Sequence, residues 1–574
     1  MLFVLVTGLL ITLAVLGWGA LGAALLGRAA GFDLRGAVAL GEYGLLGLAV
    51  LAPISLLLNF FVALDAPIGA ATVAVGLAGA GICRARLRRA FGFGLPAGAT
   101  ALLVAGLAIA LWGEAVRQPL AYDSGLYHLQ TILMDEDSRV VLGAANIHSR
   151  FGYNSAWLVL CAVFSLPGYR LAGAMTLNGM VALLALLGMI ERAVHSVATR
   201  GLMPSGAFAI GTILVAAFAK LLPRMVVGPS TDLPPALLTL YALLLALAAI
   251  EPPQGEATAA DRCGVMLLAF AVSALAVVCK TSQAPVALAV LPAALTVVHQ
   301  LQGRRAVAAG AGAAALLGLA WIVHGVALSG CMLYPVSASC IPHLPWTVPL
   351  AVIANDMAGI VSWARVPGGG HGLALNGWRW VAPWLANISG ERLVRCLKVV
   401  VALSLVMLAL RLVARDRFRC LWETLDRRAR RAASGIVAVA AIGVVYWFLT
   451  APALRFGLGF VIALPVLLLS FVVPATSRLT PPGVRRIAWA VGALGVMLAV
   501  VALSQQTTAT LLATDLPAIP QAALDERHTA AGDSYFLPRT GDQCWAAPRF
   551  CTPRASPGLA FEQLGMWRMA VAPH

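Results

Sequence analysis

Repeated apolar runs of about 17 to 25 residues dominate this chain, the length an α-helix needs to cross a hydrocarbon core roughly 30 Å thick. The first, "LFVLVTGLLITLAVLGWGALGAALLG", is longer than a signal-peptide core and lacks a basic leader, so it reads as a retained span. Only helices that satisfy their own backbone, or closed barrels, survive in lipid, and runs of this length specify helices. The expected fold class is therefore an all-α polytopic membrane protein with about fourteen transmembrane helices. Composition agrees, with 60% of the 574 residues hydrophobic and 11% charged. The least secure spans are the tight pair that meets around Lys280, at 263–279 and 283–299.

A formal net charge of +16 invites a nucleic-acid reading, and the position of the charges argues against it. The densest basic stretches are "RARLRR" (Arg84 to Arg89), "GRR" before Ala306, "RDRFRCLWETLDRRARR" (Arg415 to Arg431) and "RLTPPGVRR" (Arg478 to Arg486). Each sits between two apolar runs, where positively charged cytoplasmic loops belong. With those loops inside, three segments fall outside: 117–170, 330–395 and the tail 505–574. Two close cysteine pairs, Cys331 with Cys340 and Cys544 with Cys551, lie in these outer segments, which suits local disulfides in an oxidising periplasm or exterior. The tail, rich in Pro, Gly and Arg, is expected to form a small capping element stapled by its own bridge.

Chemistry-bearing residues concentrate at the outer ends of spans. In "RQPLAYDSGLYHLQ" an apolar run gives way to Asp123, and a helical continuation brings Tyr127 (i+4) and His128 (i+5) toward the same side. An acid at the water-facing mouth of a bundle is a candidate general base. His148, Arg150 and Asn154 follow, and then an apolar run ending in "LPGYR" that is too short for a comfortable span and is expected to be re-entrant or interfacial. Lys220, Arg224, Lys280 and Arg455 also fall at outer span ends, against the charge bias. Cations there either snorkel to the interface or bind a phosphate. Asp232, in "PSTDLPP", is expected to cap the following helix, with orientation of Lys220 or Arg224 as the alternative. Trp346, Trp363, Trp378, Trp380 and Trp384 suit an aromatic belt. No H-E-x-x-H spacing occurs, and neither a metal nor an organic cofactor is expected.

The Asp123 loop, with Tyr127 four positions on and the "L..L...F.L.G....A" segment beyond, resembles the first outer loop of GT-C membrane glycosyltransferases, the group of the protein O-mannosyltransferases and aminoarabinose transferases. "CKTSQAP" around Lys280 and "APALRFGLGF" around Arg455 resemble the lysine turn and late-span arginine of the same proteins. More broadly, "YDSGLYHLQ", "SGCMLYPVSASC", "LPWTVP", "APALRFGLGF" and "DQCWAAPRFCTP" resemble a bacterial family of polytopic membrane proteins. The resemblance implies additional N-terminal helices over 1–95, a GT-C-like core over 96–504 whose outer loops carry short interfacial helices, and the outer segment 505–574. It also implies transfer of a sugar from a polyprenyl-phosphate donor to a lipid, glycan or protein acceptor on the outer face of the bacterial cytoplasmic membrane. Asp123 would be the base, and Tyr127, His128, His148, Arg150, Lys220, Arg224, Asp232, Lys280 and Arg455 would contact substrate. Ser124 departs from the family pattern, in which a second acid often follows the first; this puts metal assistance in doubt.

The alternatives are a transporter or lipid-linked saccharide flippase, and a non-catalytic envelope-assembly scaffold. Coupled transport usually places ionisable groups within spans. Of 24 acidic residues, only Glu42 and Glu114 are expected inside or at the edge of one, which favours chemistry at the outer surface.

Overall fold

The computed structural model describes the chain except residues 32–33, 35–37, 92, 118–119, 200, 252–258, 369, 415–418, 514–517, 549, 555–557 and 573–574; at Arg224, Ala259, Ala260, Gly370 and His371 it describes the backbone alone. Apolar helices follow one another along most of the chain: α1 (Leu2–Ala30), α2 (Leu40–Leu58), α3 (Ala66–Ile82), α4 (Ala97–Arg117), α5 (Leu129–Asp137), α6 (Ala156–Ala162), α7 (Ala172–Thr199), α8 (Pro204–Phe218), α9 (Leu233–Ile250), α10 (Ala259–Cys279), α11 (Val290–Val297) and α12 (Leu301–Ser329). After them come α13 (Leu350–Arg365), α14 (Val381–Ser389), α15 (Arg392–Val413), α16 (Arg427–Thr450), α17 (Leu454–Val472) and α18 (Pro481–Ser504).

Among the described residues, eleven helices are long and apolar enough to cross a membrane, and α3 with the following Arg84–Ala90, bent by 77°, makes up to twelve. The protein is thus a multi-pass membrane protein with fewer full-length spans than the expected fourteen. The shortfall has local causes. Helix α8 starts at Pro204 and stops before Lys220, whose φ of 51° is left-handed, so it has only 15 residues. Pro285 removes a backbone donor, and Thr281–Ala289 winds as a 3-10 helix before α11 instead of forming one straight span.

Small residues let the helices close up. A Cβ on Gly19 would lie 1.6 Å from the Tyr43 carbonyl oxygen, and one on Gly106 would lie 2.0 Å from that of Gly495, so α1 packs directly on α2 and α4 on α18. Helices α7 and α9 are buried along nearly their whole length, whereas α12, α15 and α18 present mostly exposed apolar surface, as lipid-facing helices should. The apolar run before "LPGYR" forms α6, whose seven residues are all buried, so it is enclosed within the protein instead of lying on the interface.

The bundle has two chemically different ends. Arg84 to Arg89 follow α3, Arg304 and Arg305 open α12, Arg427 to Arg431 open α16, and Arg485 and Arg486 lie in the second turn of α18. At the opposite ends of their helices lie Asp123 after α4, Asp232 before α9, Lys280 after α10 and Arg455 in α17. Both disulfides, Cys331–Cys340 after α12 and Cys544–Cys551 after α18, share that second end. The tail departs from an all-helical chain: antiparallel hairpins β1 (Leu524–His528) with β2 (Ser534–Pro538), and β3 (Ala560–Leu564) with β4 (Trp567–Val571), flank the Cys544–Cys551 loop. Leu142 joins the 117–170 segment to β4, its N–H donating to the Arg568 carbonyl and its carbonyl accepting from the Ala570 N–H.

Candidate active site

Asp123 opens a π-helical turn, Ser124–His128, closed by the Leu129 N–H on the Ser124 carbonyl. Such turns cost helical regularity and recur at functional sites. The wider turn places Tyr127 and His128 back over Asp123, as the i+4 and i+5 spacing suggested. Tyr127 and His128 are in edge contact at 4.3 Å between ring centres, and both are buried. His128 Nε2 lies 3.5 Å from the Thr231 hydroxyl, while His128 Nδ1 and the Ser124 hydroxyl have no hydrogen-bond partner among the described residues.

Cations from distant helices converge on this turn. Arg455 Nη1 donates to Asp123 Oδ2 at 2.7 Å and lies 3.6 Å from Asp232 Oδ2, although 332 residues separate Arg455 from Asp123. Lys280 Nζ pairs with Asp232 Oδ1. Arg150 Nη1 is 3.5 Å from Asp123 Oδ1, and its guanidinium sits 5.8 Å from the Tyr127 ring centre. Phe456 provides a shared apolar floor, with Lys280 Nζ at 4.3 Å and the Arg455 guanidinium at 4.9 Å from its ring centre. Two carboxylates and three cations thus form one continuous array.

Electrostatics fix the resting charges. Burial works to raise the Asp123 pKa, but the attraction of Arg455, and then of His128 and Arg150, outweighs it and holds the carboxyl below its ordinary value. His128 is pushed down to about 4, chiefly by burial and only partly offset by Asp123 and Asp232, so the imidazole is neutral at physiological pH. His148 is pushed down to about 3 by burial, with Arg150 adding to it, and its ring stands edge-on to Phe151.

Sequence reasoning missed a second carboxylate centre beside the first. Asp356, on α13, accepts from the Ser149 hydroxyl at 3.0 Å and the Tyr334 hydroxyl at 3.4 Å, and also bonds to Tyr153. Tyr127, Tyr153 and Tyr334 form a row of rings leading from Asp123 to it. Nothing in the spacing of Asp356 marks it, because its partners come from two other segments. Below this row, a cavity of about 10 Å³, room for one water, is lined by Asp135, Asn154 and His324 among others. Asp135 Oδ2 is buried without a hydrogen-bond partner among the described residues, and burial, helped by Glu136, raises the pKa of this carboxyl to about 8.

The tail holds the π-turn from outside. Cys544 and Trp545 both donate backbone N–H groups to the Gly125 carbonyl, at 2.8 and 2.9 Å. Gln130 donates to the Trp545 and Ala547 carbonyls and accepts from the Cys551 N–H, while Tyr122 bonds to Asp542. A Cβ on Gly125 would meet the Trp545 ring at 2.7 Å, so only glycine admits the indole here.

Several expectations need correction. Asp232 sits at the N-cap of α9 but makes no side-chain capping bond; its oxygens serve Lys280 and Arg455 instead. Lys220 is exposed after α8 and enters none of these ion pairs. The side chain of Arg224 lies outside the described residues. Glu42 and Glu114 are not the only acids in spans: Glu191, buried in α7, accepts from the Gly41 N–H beside a Glu42–Arg192 pair that also engages the Tyr241 hydroxyl. Trp363 and Trp378 are exposed, at 58% and 63%, as belt residues are, but Trp380 and Trp384 are buried against Trp447 and Phe448. Among the described residues, no group of three or more His, Cys, Asp or Glu side chains is placed to hold a metal ion.

A family model described as a domain of unknown function, DUF8201, matches residues 1–462, which include every member of the array around Asp123 and exclude the tail that clamps it. No curated protein and no solved structure matches the chain.

Proposed function

The chain belongs to the DUF8201 family, and we propose that this member is a glycosyltransferase that moves a sugar from a polyprenyl-phosphate donor to an acceptor hydroxyl on the outer face of the cytoplasmic membrane. The observation that carries the reading is the meeting of Asp123, Arg455, Asp232 and Lys280 at one end of the bundle. Wide separation of Asp123, Lys280 and Arg455 from one another would have spoken against a shared site, since ion pairs and hydrogen bonds act over a few ångströms.

The geometry suggests an order of events. At rest, Arg455 and Lys280 are neutralised by Asp123 and Asp232. A lipid phosphate entering at Phe456 competes for the same cations. As Arg455 turns to it, Asp123 loses its strongest partner and becomes a better base, so the carboxylate is activated only when the donor is present. The acceptor oxygen then bonds to the anomeric carbon, its proton passes to Asp123, and the carbon–oxygen bond to the phosphate breaks with the electron pair leaving on the lipid phosphate. Lys280 and Arg455 stabilise that leaving charge.

Support for the outer-face placement comes from two independent features: the arginine-rich loops lie at the other end of the helices, and both disulfides lie at the same end as Asp123. The test is direct. Purified protein is given polyprenyl-phosphate sugars with candidate lipid, glycan and peptide acceptors, and acceptor-dependent consumption of donor is measured. No turnover with any donor, together with unchanged surface glycans in a cell carrying Asp123→Asn, would overturn the proposal.

A further inference from the structure

A groove of about 530 Å³ lies at the arginine-rich end of the bundle, between the ends of α15 and α17 and the start of α16. Its walls are Leu408, Leu412, Trp422, Leu468 and Phe471, and Arg411 and Glu423 stand at its mouth. The volume falls within the range of small-molecule pockets, roughly 300–1,000 Å³. Leu412 and Leu468 remain 60% and 46% exposed, so the groove opens sideways toward the lipid instead of into the bundle.

Charge at the mouth is unbalanced. Arg411 Nε donates to Glu423 Oε1 at 3.0 Å, Arg430 donates to the Trp422 and Glu423 carbonyls, and Arg419 is close enough to lower the Glu423 pKa further. Among the described residues, Arg411 is thus the guanidinium bonded to the Glu423 carboxylate, while Arg430 is held on backbone carbonyls and Arg419, next to the groove-lining Cys420, is exposed, which leaves cation in excess. An apolar slot between spans, capped by excess cation where the headgroups lie, has the chemistry of a site for an acidic lipid.

We infer that this groove binds an anionic phospholipid, its acyl chain along Leu408, Leu468 and Phe471 and its phosphate at Arg411 and Arg419, in the leaflet opposite the Asp123 array. The site is independent of the proposed transferase activity. Helix α17 connects the two, since it begins beside Arg455 and ends at the groove.

Native mass spectrometry of the full chain, released from nanodiscs holding equal amounts of phosphatidylglycerol and phosphatidylcholine, tests it. Preferential retention of phosphatidylglycerol is expected, and Arg411→Gln should lower that retention by about fivefold. Leu468→Trp, which fills the groove, should abolish it. Glu423→Gln removes the competing carboxylate and should raise retention, whereas a purely structural role for the Arg411–Glu423 pair would make Glu423→Gln and Arg411→Gln fall together. Equal retention of the two lipids, or parallel loss in both variants, overturns the inference.

Discussion

Cations at the two ends of this bundle live in different company. At the arginine-rich end most are exposed and few face a carboxylate, as with Arg427, Arg428 and Arg431. At the other end Arg150, Arg455 and Lys280 are all held against Asp123 or Asp232 above an aromatic ring. The difference teaches what each set is for. Loop arginines orient a chain in a membrane through their number and side, and need no particular geometry. Lys220 at the same end is exposed and joins none of these pairs, so position alone does not distinguish a site; pairing a cation with an acid it can exchange for a phosphate does.

The sharpest way to break the comparison is to remove the exchangeable acid. Asp123→Asn should lower transfer by about 10²–10⁴-fold, the usual value of a positioned proton acceptor, measured as acceptor-dependent donor loss. Next, Arg455→Lys should cost about 10²-fold in kcat, since a shorter side chain ending in an ammonium lacks the planar fork that can hold a phosphate through two hydrogen bonds. The same variant should move the acid limb of the rate profile upward. In the native protein Asp123 stays ionised to below its ordinary pKa, so activity should be lost only as pH falls through that lowered value. Gly125→Ala should cost about tenfold, or roughly 1.4 kcal/mol, by driving Trp545 off the π-turn, read both in activity and in thiol labelling of a cysteine introduced at Ser124.

Asp135→Asn probes the wall below the array. The folded-state pKa of this acid is raised to about 8, so its contribution to stability is complete below the ordinary carboxylate pKa and is lost as pH rises through 8. Asparagine should therefore raise the melting temperature at pH 9, raise it less at pH 5, and change it little below the ordinary carboxylate pKa. The smallest effect is expected from Arg485→Gln with Arg486→Gln, within about 0.5 kcal/mol in stability and without loss of turnover. A large loss there would mean that the two ends are not as different as their contacts indicate.

How much of this was legible in the chain follows the same division. Asp123, Lys280 and Arg455 stood out because each is a charge at the end of an apolar run, and the run fixes its depth. The disulfides were legible for a similar reason, being close pairs outside the spans. Asp232 was misread because a cap and an ion-pair partner occupy the same first position of a helix, and only the placement of Lys280 decides between them. Asp356, Ser149, Tyr153 and Tyr334 were invisible, since their meeting is tertiary and their types are ordinary in an outer loop. Glu191 was overlooked because an apolar run hides one acid easily, and the Gly41 N–H that satisfies it belongs to another helix.

The clamp on Gly125 also bears on biogenesis. Gln130 and Trp545 are 415 residues apart, and the carbonyls and N–H groups that fix the π-turn come from a loop made long after the turn itself has left the ribosome. The contacts that hold Gly125 and Gln130 can therefore form only once residues 544–551 have been made.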